Sequence, residues 1–324
     1  MGRILEIKNL STHFETEHGV IKAVDEVEIV VDGGDTLGIV GESGCGKTVL
    51  ALSIMRLVPS PPGRIVSGSI MFNGVDLLRL ETTEMRKIRG KDISMIFQEP
   101  MTSLNPVLRI GEQIAEAIRL HQGLAASDAM NSAIETLRLV GMPSPENVVR
   151  NYPHQMSGGM RQRAMIAMAV SCKPRLMLAD EPTTALDVTI QAQIIDLMNR
   201  LKEEVGTSII LITHDLGVIA EAAQYVAVMY TGGIVEYSCA ENLFSSPLHP
   251  YTVGLMESIP KMSTSGRQNG YLKVIPGVVP PLYDLPKGCS FQDRCPHVMN
   301  ICREETPLLK EKNPGHRVRC WLYG

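Results

Sequence analysis

Apolar and polar positions alternate early in the chain. LEIKNL at residues 5–10 and AVDEVEIVV at 23–31 read as strands of a half-buried sheet, and TLGIV at 36–40 is a third strand running into a glycine loop. After that loop, TVLALSIMRLV at 48–58 is apolar on nearly all sides, as a buried helix would be, and Pro59, Pro61, Pro62 and Gly63 end it. The period then changes to 3.6. Ile110, Ile114, Ala117 and Ile118 share one helical face, Gly123 breaks it, and Ser127 is placed to cap a second helix carrying Met130, Ile134 and Leu137. Two near-continuous apolar runs, RLMLAD at 175–180 and SIILITHD at 208–215, predict parallel strands buried on both faces. Beyond Cys239, HPYTVGLMESIP predicts one more helix and KMSTSGRQNG a loose linker. From Tyr271 onward apolar periodicity is poor.

Composition adds mainly exclusions. With 324 residues, 44% hydrophobic and 20% charged, the chain is long enough for one large core or two domains. A formal charge of -4 and a pI near 6.1, with no long Lys/Arg run, leave no bulk attraction to nucleic acid or anionic lipid. No stretch is apolar for long enough to span a bilayer, and MGRILEIKNL lacks the apolar core of a signal peptide, so the expectation is a chain that stays in the cytosol. Seven cysteines in such a chain do not form a disulfide framework. Four of them cluster, at 289, 295, 302 and 320, in a segment so poor in apolar residues that a staple is expected to hold it.

The candidate chemistry is that of phosphates. In GESGCGKT, Gly41, Gly44 and Gly46 free the backbone N–H groups of Ser43 to Val49 to wrap phosphate oxygens, Lys47 can neutralise the β and γ charges, and the Thr48 hydroxyl can bind Mg²⁺. Cys45 lies at a helix N-terminus, a setting that can lower a thiol pKa, although a small residue is simply tolerated there. LMLADE puts Asp180 and Glu181 at a buried strand end, one to reach the Mg²⁺ shell and the other to polarise the attacking water. SGGMRQR offers the Ser157 hydroxyl and the backbone N–H groups of Gly158 and Gly159 at a helix start, suited to a γ-phosphate.

These motifs, in this order, resemble those of the ATP-binding subunit of an ABC transporter over residues 1–238, and the full length resembles the oligopeptide/dipeptide and nickel importer group. The resemblance implies an α/β fold: a P-loop ABC-type ATPase with a mixed sheet core, a helical subdomain at about 100–165 and a small cysteine-containing C-terminal extension at 239–324. It implies that Gln98 contacts Mg²⁺ and senses the membrane subunits, that His214 is the switch histidine near the γ-phosphate, and that Phe14 stacks on adenine, although simple core packing is the other reading of that ring. SGGMRQR is similar to the signature that acts on ATP held by the opposite subunit, with Met156 and Met160 in place of its leucine and glutamine. Ala185 to Asp187 resembles the loop that crosses the dimer interface. The implied partners are two transmembrane permease subunits, a second ATP-binding subunit and, indirectly, an extracytoplasmic substrate-binding protein, with no nucleic acid. The implied place is the cytoplasmic face of the cell membrane, with the membrane subunits' coupling helices received by the segment from Pro106 to about Tyr152.

The cysteine spacing, C-x5-C-x6-C-x17-C, lacks the C-x2-C knuckles of structural zinc and the C-x2-C-x2-C run of ferredoxins, so spacing alone names no metal. Four thiolates suit Zn²⁺ or a [4Fe-4S] cluster, and free thiols remain a third reading. The resemblance favours the cluster, on Cys289, Cys295, Cys302 and Cys320, with His297 and His316 nearby but exposed. The resulting expectation is an ATPase driving import of di- or oligopeptides. The alternatives are a nickel or other small-solute importer, a soluble ABC-type ATPase, or a redox-sensing regulatory subunit.

Overall fold

Alternating segments and continuous apolar runs both become strand. In the computed structural model, which describes residues 2–17, 19–99, 103–184, 187–258 and 273–324, the strands are β1 Arg3–Thr16, β2 Gly19–Asp32, β3 Thr36–Val40, β4 Gly63–Phe72, β5 Val75–Asp76, β6 Ile93–Ile96, β7 Leu176–Asp180, β8 Ser208–Ile212, β9 Tyr225–Tyr230, β10 Gly233–Cys239, β11 Lys310–Asn313 and β12 His316–Val318. The N-terminal strands are longer than the alternation predicts. β1 and β2 are 14 residues each because the pattern of buried positions continues past the obvious repeats. The helix after the glycine loop, by contrast, is shorter: it spans Lys47–Ile54.

The chain divides into two compact units. One comprises Met1–Leu5, Val30–Thr36 and Met71–Ile212; the other comprises Glu6–Ile29, Leu37–Ile70 and Thr213–Gly324. In the first, β6, β7 and β8 are parallel neighbours, with Ile93 opposite Leu176 and Asp180 opposite Ile212. All five residues of β7 and of β8 are buried, as apolar runs covered on both faces must be. The helices Ile110–Gln122, Ala126–Leu139 and Gly158–Val170 belong to the same unit.

The helical segment departs from expectation in detail. Ser127 does not cap: the second helix begins at Ala126 after Ala125, and Ser127 lies inside its first turn. The buried ridge of that helix is Ala129, Ala133 and Leu137, while Met130 and Ile134 are half-buried at its flank. Small residues hold the centre because the contact is close. A Cβ on Gly111 of the preceding helix would come within 2.2 Å of Val149 and 2.9 Å of the Met130 sulfur. Gly123 closes the first helix in the left-handed region at φ 69°, as expected.

In the second unit, β3 and β9 run parallel, with Leu37 opposite Tyr225, and β9 turns back into antiparallel β10. The C-terminal extension adds β12 and then β11 to the far side of β10, with Glu236 opposite Val318. The segment in which apolar periodicity is poor therefore joins a sheet. The predicted helix after His249 is present as Pro250–Glu257; most of the predicted linker lies outside the described residues.

Candidate functional site

The phosphate loop is shaped by backbone constraint. Gly41, Gly44 and Gly46 have φ of 156°, 80° and 107°. A Cβ on Gly46 would lie 2.0 Å from the Ala23 carbonyl oxygen, and one on Gly41 would lie 2.2 Å from that of Met229. Only glycine fits either place. The loop is pinned from outside by the Gly232 N–H, which donates to the Cys45 carbonyl at 2.9 Å. Lys47, 6% exposed, folds back along the loop and donates from Nζ to the carbonyls of Gly41 (2.7 Å) and Glu42 (3.1 Å). Ser43, Gly44 and Thr48 face solvent, and nothing lies within 4 Å of the place a Gly44 Cβ would occupy. A left-handed glycine cradle with an ammonium along it and an open mouth fits a polyphosphate.

Cys45 does not meet the condition for a reactive thiol. It is 1% exposed, and burial raises its pKa, outweighing the opposing charge of Lys47, whose Nζ lies 3.7 Å from the sulfur. Phe14 is half-buried, and one edge of its ring leans on Gly63, where a Cβ would meet Phe14 Cε1 at 2.7 Å. His214 is exposed, just past Thr213, whose N–H donates to the Ile39 carbonyl at 3.2 Å. Asp215 caps the next helix by accepting from the N–H groups of Gly217 (2.8 Å) and Val218 (3.3 Å).

The first unit holds the remaining motifs. Asp180 closes β7 and is 2% exposed; Glu181 follows in the left-handed region at φ 47°, unusual for a residue with a side chain. Its backbone N–H donates to the Ile212 carbonyl at 2.8 Å. Its carboxylate Oε2 accepts from Gln98 Nε2 at 3.1 Å and from the Thr184 hydroxyl at 2.8 Å. Gln98 and Glu181 are thus brought together. Thr184 was not singled out by sequence reasoning, although a hydroxyl three residues after the acid was a signal. Within this unit Gln98 and Asp180 offer an amide and a carboxylate oxygen, hard donors of the kind Mg²⁺ prefers, while Thr48 belongs to the other unit. Ser157 caps the Gly158–Val170 helix, its hydroxyl accepting from the Met160 N–H at 3.3 Å, and Ser157 and Gly158 are exposed. Asp187 caps the Val188–Val205 helix through the Ile190 N–H at 3.0 Å; Ala185 and Leu186 lie outside the described residues.

A model of the "ABC transporter" family matches residues 24–184, and one of the "Oligopeptide/dipeptide transporter, C-terminal region" matches residues 235–302. The "Probable peptide ABC transporter ATP-binding protein" of Sinorhizobium fredii is 53% identical over 98% of this chain and 94% of its own length. The chain belongs to the ATP-binding subunits of oligopeptide/dipeptide ABC transporters. The oligopeptide transport ATP-binding protein AppD of Bacillus subtilis is 50% identical over 100% of this chain and 98% of its own length. Among solved structures, a dimeric ATP-binding cassette in a post-hydrolysis state with ADP and Pi matches this ABC subunit with a TM-score of 0.66 and 26% identity, over 73% of this chain and 98% of that one.

The four cysteines that this ABC subunit carries near its C-terminus form no disulfide. Among the described residues, no three His, Cys, Asp or Glu side chains are grouped to hold a metal ion. The thiols do share a neighbourhood: burial pushes Cys289 up to about 11, and Cys302, Cys320 and Cys295 add to that rise. Burial likewise raises Cys295 and Cys320. His297 is exposed as expected, but His316 is not: it is 2% exposed, with Nε2 2.7 Å from a carboxylate oxygen of Glu236, which is itself fully buried. Its ring is part of the joint between β12 and β10.

Proposed function

We propose that this chain is the energy-coupling ATPase of an ABC importer for di- or oligopeptides, at the cytoplasmic face of the cell membrane. It works with two permease subunits, a second ATP-binding subunit and an extracytoplasmic substrate-binding protein. Among the described residues no helix is long and apolar enough to cross a membrane, which accords with a peripheral place. The division of labour follows the expected domains: residues 1–238 handle ATP, with the segment from Pro106 to about Tyr152 receiving the permeases, and 239–324 form the extension.

The observation that carries the reading is Glu181 at the end of β7, held by Gln98 and Thr184 in a chain that also carries the glycine cradle. In the working cycle the loop from Gly41 to Val49 binds the phosphates, and Lys47 leaves its two carbonyl acceptors for phosphate oxygens. Ser157, Gly158 and Gly159 close on the ATP of the opposite subunit, and Phe14 stacks on adenine. Thr48, Gln98 and Asp180 would supply the oxygen donors for Mg²⁺, which would neutralise phosphate charge. Glu181 accepts a proton from the attacking water, His214 donates to the γ-phosphoryl group, and Asp187 lines the subunit interface.

Glu181→Gln tests this directly. In the reconstituted importer it should keep ATP affinity while lowering turnover by about 10²–10⁴-fold, the usual worth of a general base. Unchanged turnover refutes the role. Stimulation of ATPase activity by peptide, and not by nickel, identifies the cargo.

A finer reading gives Cys289, Cys295, Cys302 and Cys320 a [4Fe-4S] cluster. It is supported by their mutual electrostatic influence and by the family's C-terminal region, and it requires the thiols to move into a ligand set. Anaerobic purification with quantitation of iron, acid-labile sulfide and zinc decides it.

A further inference from the structure

The first non-glycine residue of the phosphate loop is an acid, which is electrostatically adverse beside bound phosphates. Glu42 is nevertheless held at all three of its polar groups. Its carboxylate is gripped by both terminal nitrogens of Arg294, Nη1 to Oε2 at 2.7 Å and Nη2 to Oε1 at 3.0 Å, across a sequence separation of 252 residues. Its backbone N–H donates to the Tyr251 hydroxyl at 2.9 Å. Its carbonyl is one of the two that receive the Lys47 amine.

The two residues that grip Glu42 are themselves buried and held by further contacts. The Arg294 side chain is 4% exposed; its Nε donates to the Pro276 carbonyl at 3.0 Å, and its guanidinium lies 5.9 Å from the centre of the Tyr230 ring and 5.8 Å from that of Phe291. Tyr251 is fully buried, with its ring centre 4.7 Å from that of Tyr230 and 5.5 Å from that of Phe291. A bidentate, charge-assisted pair between such partners fixes orientation as well as charge.

We propose that Arg294 and Tyr251 are positioning residues for the ATP site, holding Glu42 so that its carbonyl aligns Lys47 and its carboxylate stays neutralised away from the phosphates. The proposal rests on the ATP reading of Gly41–Val49. It makes the C-terminal extension part of nucleotide binding, although the extension carries no phosphate motif. The guanidinium cancels a negative charge that would otherwise compete with ATP for the lysine, and the phenol takes an N–H whose direction sets the loop's first turn.

The test is binding of a fluorescent N-methylanthraniloyl ATP analogue, with Mg²⁺, to the full chain. Arg294→Met should weaken binding by about tenfold or more, because it leaves an unpaired carboxylate inside the loop. Tyr251→Phe should weaken it by about threefold. Adding Glu42→Gln to Arg294→Met should recover most of the lost affinity, and a thermal melt of each variant separates a change in nucleotide affinity from a change in fold stability. Unchanged affinity in Arg294→Met, or no recovery in the double variant, overturns the proposal. If Arg294→Met does not fold, Arg294→Lys carries the test: it keeps the charge but loses the two-pronged grip, so weaker binding supports the proposal and equal binding overturns it. If the unaltered chain binds no nucleotide, the ATP reading itself fails, which is a distinguishable result.

Discussion

The phosphate loop and the C-terminal extension belong to the same compact unit but are held by different means. The loop is fixed by backbone geometry: three glycines at positive φ and carbonyls that meet an amine a few residues away. The extension is fixed by side chains from far along the chain. Glu236 accepts from the N–H groups of Leu248 (2.7 Å) and His249 (2.8 Å) and pairs with His316, while Phe291 packs edge-on against Tyr230 with ring centres 5.3 Å apart. One region is broken by adding an atom, the other by removing one.

The largest expected effect is on the loop. Gly46→Ala adds a methyl group where a backbone carbonyl stands 2.0 Å away and leaves alanine at φ 107°. Neither conflict relaxes through a side chain, so the loop must rebuild. Nucleotide binding should be lost, with destabilisation of about 3 kcal/mol or more; titration with the fluorescent ATP analogue and a thermal melt check both. A chain that binds ATP normally would show that the cradle is not set by backbone constraint.

The extension answers to removal. Glu236→Ala takes away a fully buried carboxylate and strands two backbone donors and the His316 ring. Breaking such a set costs about 3–5 kcal/mol. Glu236→Gln keeps one acceptor oxygen and should cost roughly half as much, about 2 kcal/mol. Denaturant unfolding of the two variants orders them; equal stability of all three chains would mean that β12 is held by packing alone.

The same contrast explains what could be read in advance. GESGCGKT, ADE and THD were legible because their chemistry is local: neighbouring backbone groups and a strand end dictate residue types within a few positions. Glu42, Tyr251, Arg294 and Glu236 were not, because each acquires its role from a partner that the spacing does not connect. An acid within a phosphate loop was a signal that a cation had to come from elsewhere, but nothing in QDRC at 292–295 marked Arg294 as that cation. The apolar-poor tail points, by its sequence, to a staple among its cysteines. The contacts that hold the tail in this structure include a buried arginine, a histidine–glutamate pair and an aromatic cluster. The long β1 and β2 and the early start of the Ala126–Leu139 helix were misjudged for a smaller reason, since strand and helix ends depend on tertiary contact more than on propensity.

The effect that is smallest near neutral pH, and grows only on acidification, is a pH dependence confined to the extension. His249 is 2% exposed, its pKa is pushed down to about 3 by burial, and its Nδ1 accepts from the Tyr251 N–H at 3.0 Å. A neutral ring is therefore required in the folded state, whereas the unfolded chain takes up a proton near the ordinary value of 6.5. Above that pH neither state binds the proton and His249 costs nothing. As the pH falls from 6.5 towards 3, the unfolded state gains a proton that the folded state refuses, and stability declines by at most about 1.4 kcal/mol per pH unit. His249→Asn retains an acceptor oxygen for the Tyr251 N–H but has no proton to gain. Its unfolding free energy should therefore lose one proton's worth of slope between pH 6 and pH 4, when the two chains are compared by denaturant titration at each pH. Parallel curves would mean that the ring is protonated in the folded state, and the close fit of Tyr251 beneath Glu42 would then need another explanation.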